Sequence, residues 1–490
     1  MVSMRGRLVA GVHCSHRSAR IVVCDGDDGT VLRQTVVRFA DGAHGDPVSW
    51  LRAFGEAAGG GTLDGVEAIG VTAQGHGLIA LDGQGVVVAP PLPQDDISAS
   101  GSAAELAEEL GGPGAWYDAT GLVPSHTTAV SHLRRLARHE PDEAARVAAA
   151  ALPHDWLTWQ LLGCPAELTT DRSDASTTGY WSPETGTWRD DLAERAFGRA
   201  LRLPRLVAPG EAAGRTPEGV LISAGAGAEA ALAFGLGLEH GDVVVAVGAS
   251  GAAFAVHDEI PLDAGPALVC LADATGRRMP LVRTLNAVRV LRGAAAMLGV
   301  DTAGYDELAL RSTPGACGLV MLPYLDGEDV PHLPHAAGTL TGLHRESMTP
   351  EAFARAATEG MMCGLADGLD VLRRNGVPVE RAVLVGVGAR SAAVRAVAPM
   401  LLGLPVAVPD PADSARAAAL GVARQAAWAL SGKPDVPAWP RPGADFTVLS
   451  DEDAAIGTAV REQYRDVRNR LHPEAAAADA APNPGRHRRN

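Results

Sequence analysis

The sequence predicts an α/β protein of two similar lobes, and three observations support this prediction. First, residues 8–37 and 242–272 both follow the order strand, tight turn, strand, strand, judged from apolar alternation and Gly/Asp punctuation. Second, both stretches are followed by helical patterns and later by short apolar strands. Third, 47% of the residues are apolar and only 4% aromatic, a globular composition with a core of Ala, Val and Leu. A duplicated unit is therefore expected, with lobes at residues 1–240 and 241–470.

The first half alternates between strand and helix patterns. A period of two residues predicts strands, and a period of 3.6 residues predicts helices. Predicted strands cover residues 8–12, 19–25, 31–37, 66–72 and 86–89, and predicted helices cover 102–110 and 127–138.

The second half repeats this order. Predicted strands cover residues 242–247, 252–257, 267–272, 382–387 and 405–409, and predicted helices cover 350–375, 391–402 and 414–430. The strand at 382–387 and the helix after it belong to a βαβ unit, whose carboxyl-end crevice commonly binds ligands. Residues 471–490 are rich in Pro, Ala and Arg and are predicted to be disordered.

The charge of the chain argues against several kinds of partner and mechanism. Its 42 Lys+Arg and 58 Asp+Glu residues give a formal net charge of −16, which repels nucleic acids and anionic membrane surfaces. Lys433 is the only lysine, which disfavours Schiff-base chemistry and a phosphate-loop lysine.

The cysteine pattern and hydropathy predict a cytoplasmic protein. The six cysteines form no C-x-x-C pair and are expected to be reduced. The sequence shows no secretory signal, and its longest weakly polar run, residues 220–256, contains acidic residues and a histidine, which disfavours a membrane span. No metal site is predicted.

Two glycine turns are candidates for phosphate or nucleotide contact. GASG at 248–251 lies at a hairpin tip, and GVGARS at 386–391 joins a strand to a helix. Small residues there let a ligand approach backbone amides. An ordinary tight turn explains each of them about equally well.

Two longer segments are more specific. Residues 322–343, LPYLDGEDVPHLPHAAGTLTGL, and residues 152–182, which begin LPHDWLTWQLLG, resemble the FGGY carbohydrate kinases, in particular the xylulokinase-like branch. AQGHGLIALD at 73–82 and ADSARAAALGVA at 412–423 add to a resemblance that covers roughly residues 8–470. It implies the two-lobed actin-like, ribonuclease-H-like fold, with a sugar bound by the first lobe, ATP by the second, and the phosphates held between the two hairpin turns. ATP and Mg²⁺ are the implied cofactors.

The resemblance also implies site residues and partners. The substrate is expected to be a small sugar or polyol, and a homodimer is the assembly expected. The implied substrate-binding residues are Gln74, Gly75, His76 and Asp95, and the implied nucleotide-binding residues are Gly11, Ser18, Arg20, Gly248, Ser250, Gly386, Gly388 and Ala389.

The first hairpin departs from the family pattern. Family members carry Gly-x-Asp-x-Gly-Thr-x-Ser-x-Lys/Arg, in which the Asp helps to hold Mg²⁺, whereas this chain reads GVHCSHRSAR at 11–20. His13 stands at the Asp position, Ser15 at the Gly and His16 at the Thr. Imidazole is a poor ligand for Mg²⁺, which prefers oxygen.

The general base is the second departure. The family supplies it as the Asp of Gly-Ala-Gly-Asp-Asn-Ala, whereas this chain reads GAGAEA at 225–230, with Ala228 at the base position and Glu229 after it. Glu229 is the candidate substitute base, although neighbouring helical side chains point about 100° apart. The plainer alternative is an acid that stabilises a helix N-terminus. Ile97, Ala249 and Val387 are three further replacements.

Three hypotheses follow, and the sequence leaves them open. The chain is an ATP-dependent sugar kinase whose activity is weak or lost, or a non-catalytic paralogue that binds sugar or nucleotide and acts through a partner protein. The third is a different chemistry, such as hydrolysis or isomerisation, suggested by the clustering of His13, Cys14 and His16.

Overall fold

The structure is a computed structural model, and it describes residues 6–40, 45–75, 77–93, 96–259, 267–441 and 445–480. Its strands are β1 (Leu8–Cys14), β2 (Ser18–Asp25), β3 (Val31–Arg38), β4 (Val66–Ala73), β5 (Ile79–Leu81), β6 (Val87–Ala89), β7 (Ala149–Ala151), β8 (Thr169–Asp171), β9 (Arg205–Val207), β10 (Ala212–Arg215), β11 (Leu221–Ser223), β12 (Asp242–Val247), β13 (Gly251–Ala255), β14 (Leu268–Ala272), β15 (Arg278–Thr284), β16 (Val320–Leu322), β17 (Thr339–Thr341), β18 (Arg381–Val385) and β19 (Val406–Ala407).

The helices lie between these strands. They are α1 (Pro47–Ala58), α2 (Ser100–Leu110), α3 (Pro113–Thr120), α4 (Ala129–His139), α5 (Pro141–Arg146), α6 (Pro153–Leu161), α7 (Arg172–Ala175), α8 (Asp190–Phe197), α9 (Ala228–Leu236), α10 (Val288–Leu298), α11 (Thr302–Arg311), α12 (Pro350–Arg374), α13 (Ala392–Leu402), α14 (Pro411–Ser431), α15 (Asp451–Leu471) and α16 (Pro473–Ala480).

The chain divides into two compact units. The first contains residues 1–237, 270–279 and 416–442, and the second contains the rest. The predicted lobes, 1–240 and 241–470, differ from these units because two segments from the second half of the sequence pack with the first unit.

The structure has two six-stranded sheets, and five strands of each follow the same order. In the first, the order β3-β2-β1-β4-β11 joins two antiparallel pairs to two parallel pairs. In the second, the order β15-β13-β12-β18-β19 repeats this pattern. The duplication predicted from the two strand meanders is therefore present.

One strand of the second meander was assigned incorrectly from the sequence. The third strand of the meander is β15, whereas the predicted strand at 267–272 is β14, at the sheet edge. Residues 278–284, RMPLVRT, contain two arginines and a proline and therefore lack a clear strand pattern. β15 is held by antiparallel pairing with β13, in which Phe254 lies opposite Leu281.

Both faces of the first sheet are buried at β1 and β2, which explains the nearly continuous apolar sequence of these two strands. Val9 and Val22 pack on the side of α14. Val12 and Ile21 pack on the opposite side, with Trp50 and Trp156. Alternate residues of a strand point to opposite faces, so each strand contributes to both layers of the core.

Glycine and alanine allow α14 to approach the rest of the first unit at backbone distance. A Cβ atom on Gly11 would lie 1.8 Å from the carbonyl oxygen of Ala419, and one on Gly70 would lie 2.0 Å from that of Val422. A Cβ on Gly421 of α14 would lie 1.9 Å from the carbonyl oxygen of Ala231 in α9. These positions require glycine because a methyl group would overlap the backbone of a neighbouring element.

The C-terminal segment differs in part from its prediction. Residues 473–480 form α16, in the stretch whose composition predicts disorder, because alanine is the best helix former. Residues 481–490 lie outside the described residues. Within the described chain, no helix is both long and apolar enough to span a membrane.

Candidate functional site

The first unit brings three loops together at one edge of its sheet. Strands β1, β4 and β11 are parallel, so the turn after Cys14, the segment after Ala73 and the turn after Ser223 all leave the sheet at its carboxyl edge. The Gln74 amide donates to the Cys14 carbonyl oxygen at 2.7 Å. This edge is where ligands bind in open α/β sheets.

Helix α9 begins at this edge. Its first two residues, Ala228 and Glu229, are half-buried. A Cβ atom on Gly75 would lie 3.5 Å from Oε2 of Glu229. The Glu229 carboxylate is therefore beside the Gln74–Gly75 segment, two of the predicted substrate-binding residues. The other two, His76 and Asp95, lie outside the described residues.

The hairpin between β1 and β2 carries cations and a neutral imidazole. His13 and Arg20 are opposite each other in the register. Burial, with Arg20 and His16 nearby, lowers the pKa of His13 to about 4, so its ring is neutral at pH 7. Burial and the nearby Arg416 of α14 lower the pKa of Arg20. The described part of this hairpin offers positive charge to an anion.

The Ser15 side chain occupies the turn of this hairpin. Its Oγ accepts from the amides of Arg17 at 3.2 Å and Ser18 at 3.1 Å, and the Ser15 amide donates to the Ser18 carbonyl oxygen at 2.9 Å. The turn therefore satisfies three of its amides internally, and a phosphate would have to displace Ser15 to use two of them.

Beneath the start of α9 lies a cluster of one histidine and three aspartates. His154 and Asp155 are in the first turn of α6, Asp171 caps α7, and Asp174 is within α7. Nδ1 of His154 lies 3.3 Å from Asp155 Oδ1, 3.3 Å from Asp174 Oδ2 and 4.0 Å from Asp171 Oδ1. All four side chains are buried, so their charges interact strongly.

The pKa values of the cluster reflect burial and mutual charge. Burial opposes protonation of His154, but the carboxylates of Asp155 and Asp174 outweigh it and raise its pKa well above the usual value. Burial and the charge of Asp174 raise the pKa of Asp171 to about 7, and burial also raises the pKa of Asp174.

Ser173 connects this cluster to the start of α9. The Gly227 amide donates to Ser173 Oγ at 2.8 Å, and that hydroxyl donates to Asp171 Oδ2 at 2.5 Å. A Cβ atom on Gly225 would lie 2.0 Å from Nε2 of His154. The cluster therefore fixes the turn that precedes Ala228 and Glu229.

The second unit presents two turns of its own. Ala249 and Ser250 are exposed at the tip of the β12–β13 hairpin, and the Val288 amide donates to the Gly248 carbonyl oxygen at 3.1 Å. At the end of β18, Gly386 adopts a φ of +94°, and a Cβ atom on Gly388 would lie 2.4 Å from a methyl group of Val247.

Comparison with known proteins identifies the family of this chain. Models of the FGGY family of carbohydrate kinases match residues 54–247 with their N-terminal domain and residues 301–430 with their C-terminal domain. A xylulose kinase of Streptomyces coelicolor is 37% identical over 448 residues, covering 88% of this chain and 90% of that protein. The chain belongs to the FGGY family of carbohydrate kinases.

Two further relatives support the same family assignment. The xylulose kinase of Streptomyces rubiginosus is 36% identical over 453 residues, covering 88% of this chain and 90% of that protein. The crystal structure of xylulose kinase from Bifidobacterium adolescentis has a TM-score of 0.85 and 34% identity, covering 94% of this chain and 99% of that chain. The predicted two-lobed, actin-like fold is thus the fold of this FGGY chain.

FGGY kinases use ATP and Mg²⁺, and the described hairpin residues do not fit the metal. Mg²⁺ prefers carboxylate and water oxygens in octahedral geometry. The β1–β2 hairpin instead offers the neutral ring of His13, with Arg20 opposite it. The exposed β12–β13 tip, at Ala249 and Ser250, is accessible to a nucleotide phosphate.

Several glycines predicted from the FGGY resemblance to bind nucleotide also have packing roles. Gly11 faces the backbone of α14, and Gly388 faces Val247. Ala389 is 6% exposed. Their nucleotide-binding roles stay predictions.

Sequence reasoning missed the His154 cluster and Arg416. Both lie in segments used for the FGGY resemblance, 152–182 and 412–423, but that resemblance gave no role to their individual side chains. A signal was present: a His-Asp pair opens a helix, and two aspartates three residues apart follow a short strand. Only the fold shows that His154 lies beside Asp171 and Asp174, and that Arg416 lies near Arg20.

The Ser173 link makes a stability prediction. Ser173→Ala leaves the buried Gly227 amide without its acceptor, so we expect the free energy of unfolding to fall by about 1–3 kcal/mol. Equilibrium urea unfolding measures this change. Ser100→Ala, at the exposed first residue of α2, is the control and should change stability by less than about 0.5 kcal/mol. Equal stability of the two variants would contradict the role of Ser173.

Proposed function

We propose that this chain is a xylulose-kinase-like phosphotransferase, with a ketose such as D-xylulose or a related polyol as acceptor, and with weak activity. The proposed reaction moves the γ-phosphate of ATP to a hydroxyl group of the sugar. Support for the acceptor comes from the names of the relatives. Support for weak activity comes from one observation: Ala228, which has no titratable group, begins α9 at the site edge.

The absence of a titratable group at position 228 accounts for much of the expected loss of activity. A positioned general base contributes about 10²–10⁴ in rate. Phosphoryl transfer depends mainly on positioning and on charge stabilisation, so some turnover survives without a base. The neutral His13 adds to the loss, because it supplies no carboxylate for metal placement.

Glu229 is the proposed substitute base. Its carboxylate is near Gly75, beside the segment expected to contact the sugar. Glu229 is also close enough to Asp174 for their charges to interact. In this proposal the sugar hydroxyl approaches Glu229 rather than the position of Ala228.

Glu229→Gln tests this proposal directly. We expect the wild-type chain to release ADP slowly with Mg·ATP and one member of a ketose and polyol panel. Glu229→Gln should reduce that rate at least about 100-fold, the lower end of a base contribution. A coupled ADP-release assay measures both rates.

The matched control is Glu218→Gln. Glu218 is exposed before β11 in the same unit, so this change should leave the rate unchanged. Sugar-dependent turnover that Glu229→Gln leaves intact would contradict the role of Glu229. Absence of turnover across the panel would contradict the kinase proposal.

A second candidate is a non-catalytic paralogue that binds a sugar or nucleotide and acts through a partner protein. The hairpin supports it, since Ser15 occupies the turn amides and His13 is neutral. Ligand binding raises the melting temperature according to concentration and affinity. A thermal shift with sugar but none with Mg·ATP, and no turnover, would favour this second candidate.

A further inference from the structure

We propose that His154, Asp155, Asp171 and Asp174 form a buried site for one divalent transition-metal ion, Zn²⁺ or Mn²⁺. The site does not depend on the proposed kinase activity. It lies within the first unit, and all four residues come from two short segments, at the start of α6 and at the β8–α7 junction.

Ligand atoms of His154, Asp171 and Asp174 all lie within 4.8 Å of one another, and Asp155 adds a fourth oxygen next to Nδ1 of His154. Zn–N and Zn–O bonds of about 2.0–2.2 Å at a tetrahedral angle place neighbouring ligand atoms about 3.3–3.5 Å apart. The distances from Nδ1 of His154 to Asp155 Oδ1 and Asp174 Oδ2 are both 3.3 Å, and the distance to Asp171 Oδ1 is 4.0 Å. Asp171 Oδ1 would have to move about 0.5 Å or more toward Nδ1 of His154 to reach this range.

In the described part of the chain, His154 and Asp155 have buried polar atoms without a well-formed hydrogen bond. His154 is 0% exposed, and neither of its ring nitrogens makes a hydrogen bond of acceptable geometry within the described residues. The same holds for Oδ1 of Asp155. Buried polar atoms are nearly always hydrogen-bonded or bound to an ion. Of these atoms, Nδ1 of His154 faces Oδ1 of Asp155 at 3.3 Å, whereas Nε2 lies on the side of Gly225.

The ligand atoms are held by their own partners. Asp155 Oδ2 accepts the Leu152 amide at 2.8 Å, which leaves Oδ1 toward His154. Asp171 Oδ2 accepts the Ser173 amide at 2.6 Å and its hydroxyl at 2.5 Å, and Oδ1 accepts the Asp174 amide at 3.1 Å while lying 4.0 Å from Nδ1 of His154. Outer-shell hydrogen bonds of this kind orient the ligands of metal sites.

The charge of the cluster favours a divalent cation. Three buried carboxylates surround one imidazole, and Arg172 is close enough to Asp171 for their charges to interact. An ion of charge +2 neutralises more of the negative charge of three buried carboxylates than one proton does. One imidazole with carboxylates suits Zn²⁺ or Mn²⁺.

A bound ion would stabilise the turn at Gly225–Gly227, which precedes helix α9. Ser173 joins Asp171 to the Gly227 amide, and His154 abuts Gly225. An ion at this point therefore fixes the turn that precedes Ala228 and Glu229.

The test uses the full-length chain stripped with a chelator and then titrated with Zn²⁺, Mn²⁺ or Mg²⁺ alone. We expect about one equivalent of Zn²⁺ or Mn²⁺ per chain by elemental analysis after gel filtration, and a melting temperature several degrees above that of the stripped chain. His154→Lys supplies a cation but no lone pair at pH 7, so it should fold and lose metal affinity at least about 100-fold.

His139→Lys is the matched control, because His139 is exposed at the end of α4, and it should bind metal like the wild type. Asp174→Asn provides a second variant that removes a ligand charge, and it should also lose the metal. Failure of the stripped wild-type chain to take up either ion overturns the proposal and leaves an imidazolium ion pair. Equal uptake by His154→Lys and the wild type also overturns it, since the ion then binds elsewhere.

Discussion

Ala228→Asp increases the rate of ATP-dependent D-xylulose phosphorylation by up to about 10²-fold, the part of a positioned general base's 10²–10⁴-fold contribution that Glu229 leaves unrealised. The side chain would be on the first residue of α9, whose preceding turn is held by the Ser173 hydrogen bond to Gly227. The measurement is kcat from ADP release at saturating D-xylulose and Mg·ATP.

Ala228→Asn is the control for this change. Its amide has the size of the Asp side chain but accepts no proton at pH 7, so its rate should stay at the wild-type level. Adding His13→Asp to Ala228→Asp should increase the rate further and make it depend more steeply on Mg²⁺, because a carboxylate replaces a neutral ring. If Ala228→Asp and Ala228→Asn have the same rate, the missing base does not limit this protein.

Gly11→Ala lowers the free energy of unfolding by about 3 kcal/mol or more, at the upper end of overpacking substitutions. The added Cβ would lie 1.8 Å from the Ala419 carbonyl oxygen and 2.7 Å from its carbonyl carbon. Both atoms are backbone, so relief requires β1 and α14 to move apart. We expect a fall in melting temperature of about 5–10 °C, measured by differential scanning calorimetry.

Gly114→Ala is the matched change at a position without this crowding. Gly114 lies in α3, and a Cβ atom there would meet nothing within 4 Å. Alanine favours the helix, so stability should be unchanged or rise by up to about 1 kcal/mol. A Gly11→Ala variant as stable as Gly114→Ala would show that α14 does not approach β1 as closely as the structure places it.

The duplicated fold was predictable because its main strands have sharp boundaries. The buried strands β1 and β12 end in small or polar turn residues, and the long helix α12 begins with a Thr cap and a proline at its first turn. Such signals are local in the sequence. The strand β15 was missed because its apolar residues alternate poorly, and pairing with β13 decides its conformation.

The candidate site was less predictable. Gly11 matches a nucleotide motif, yet its neighbour is Ala419, more than 400 positions later, and no local pattern reports that contact. His154 and Asp174 read as ordinary polar residues in the sequence. They interact because α6 packs against the β8–α7 junction, and their spacing in the sequence does not predict this tertiary contact.

The place of α14 in the first unit has a consequence for dividing this protein genetically. A gene fragment ending near residue 240 would encode Gly11, Gly70 and Gly235 without the helix whose backbone they face. The exposed face of the sheet would then be an apolar surface prone to aggregation. A soluble first half calls for a design that rejoins residues 270–279 and 416–442 to residues 1–237 through linkers, rather than for a simple truncation.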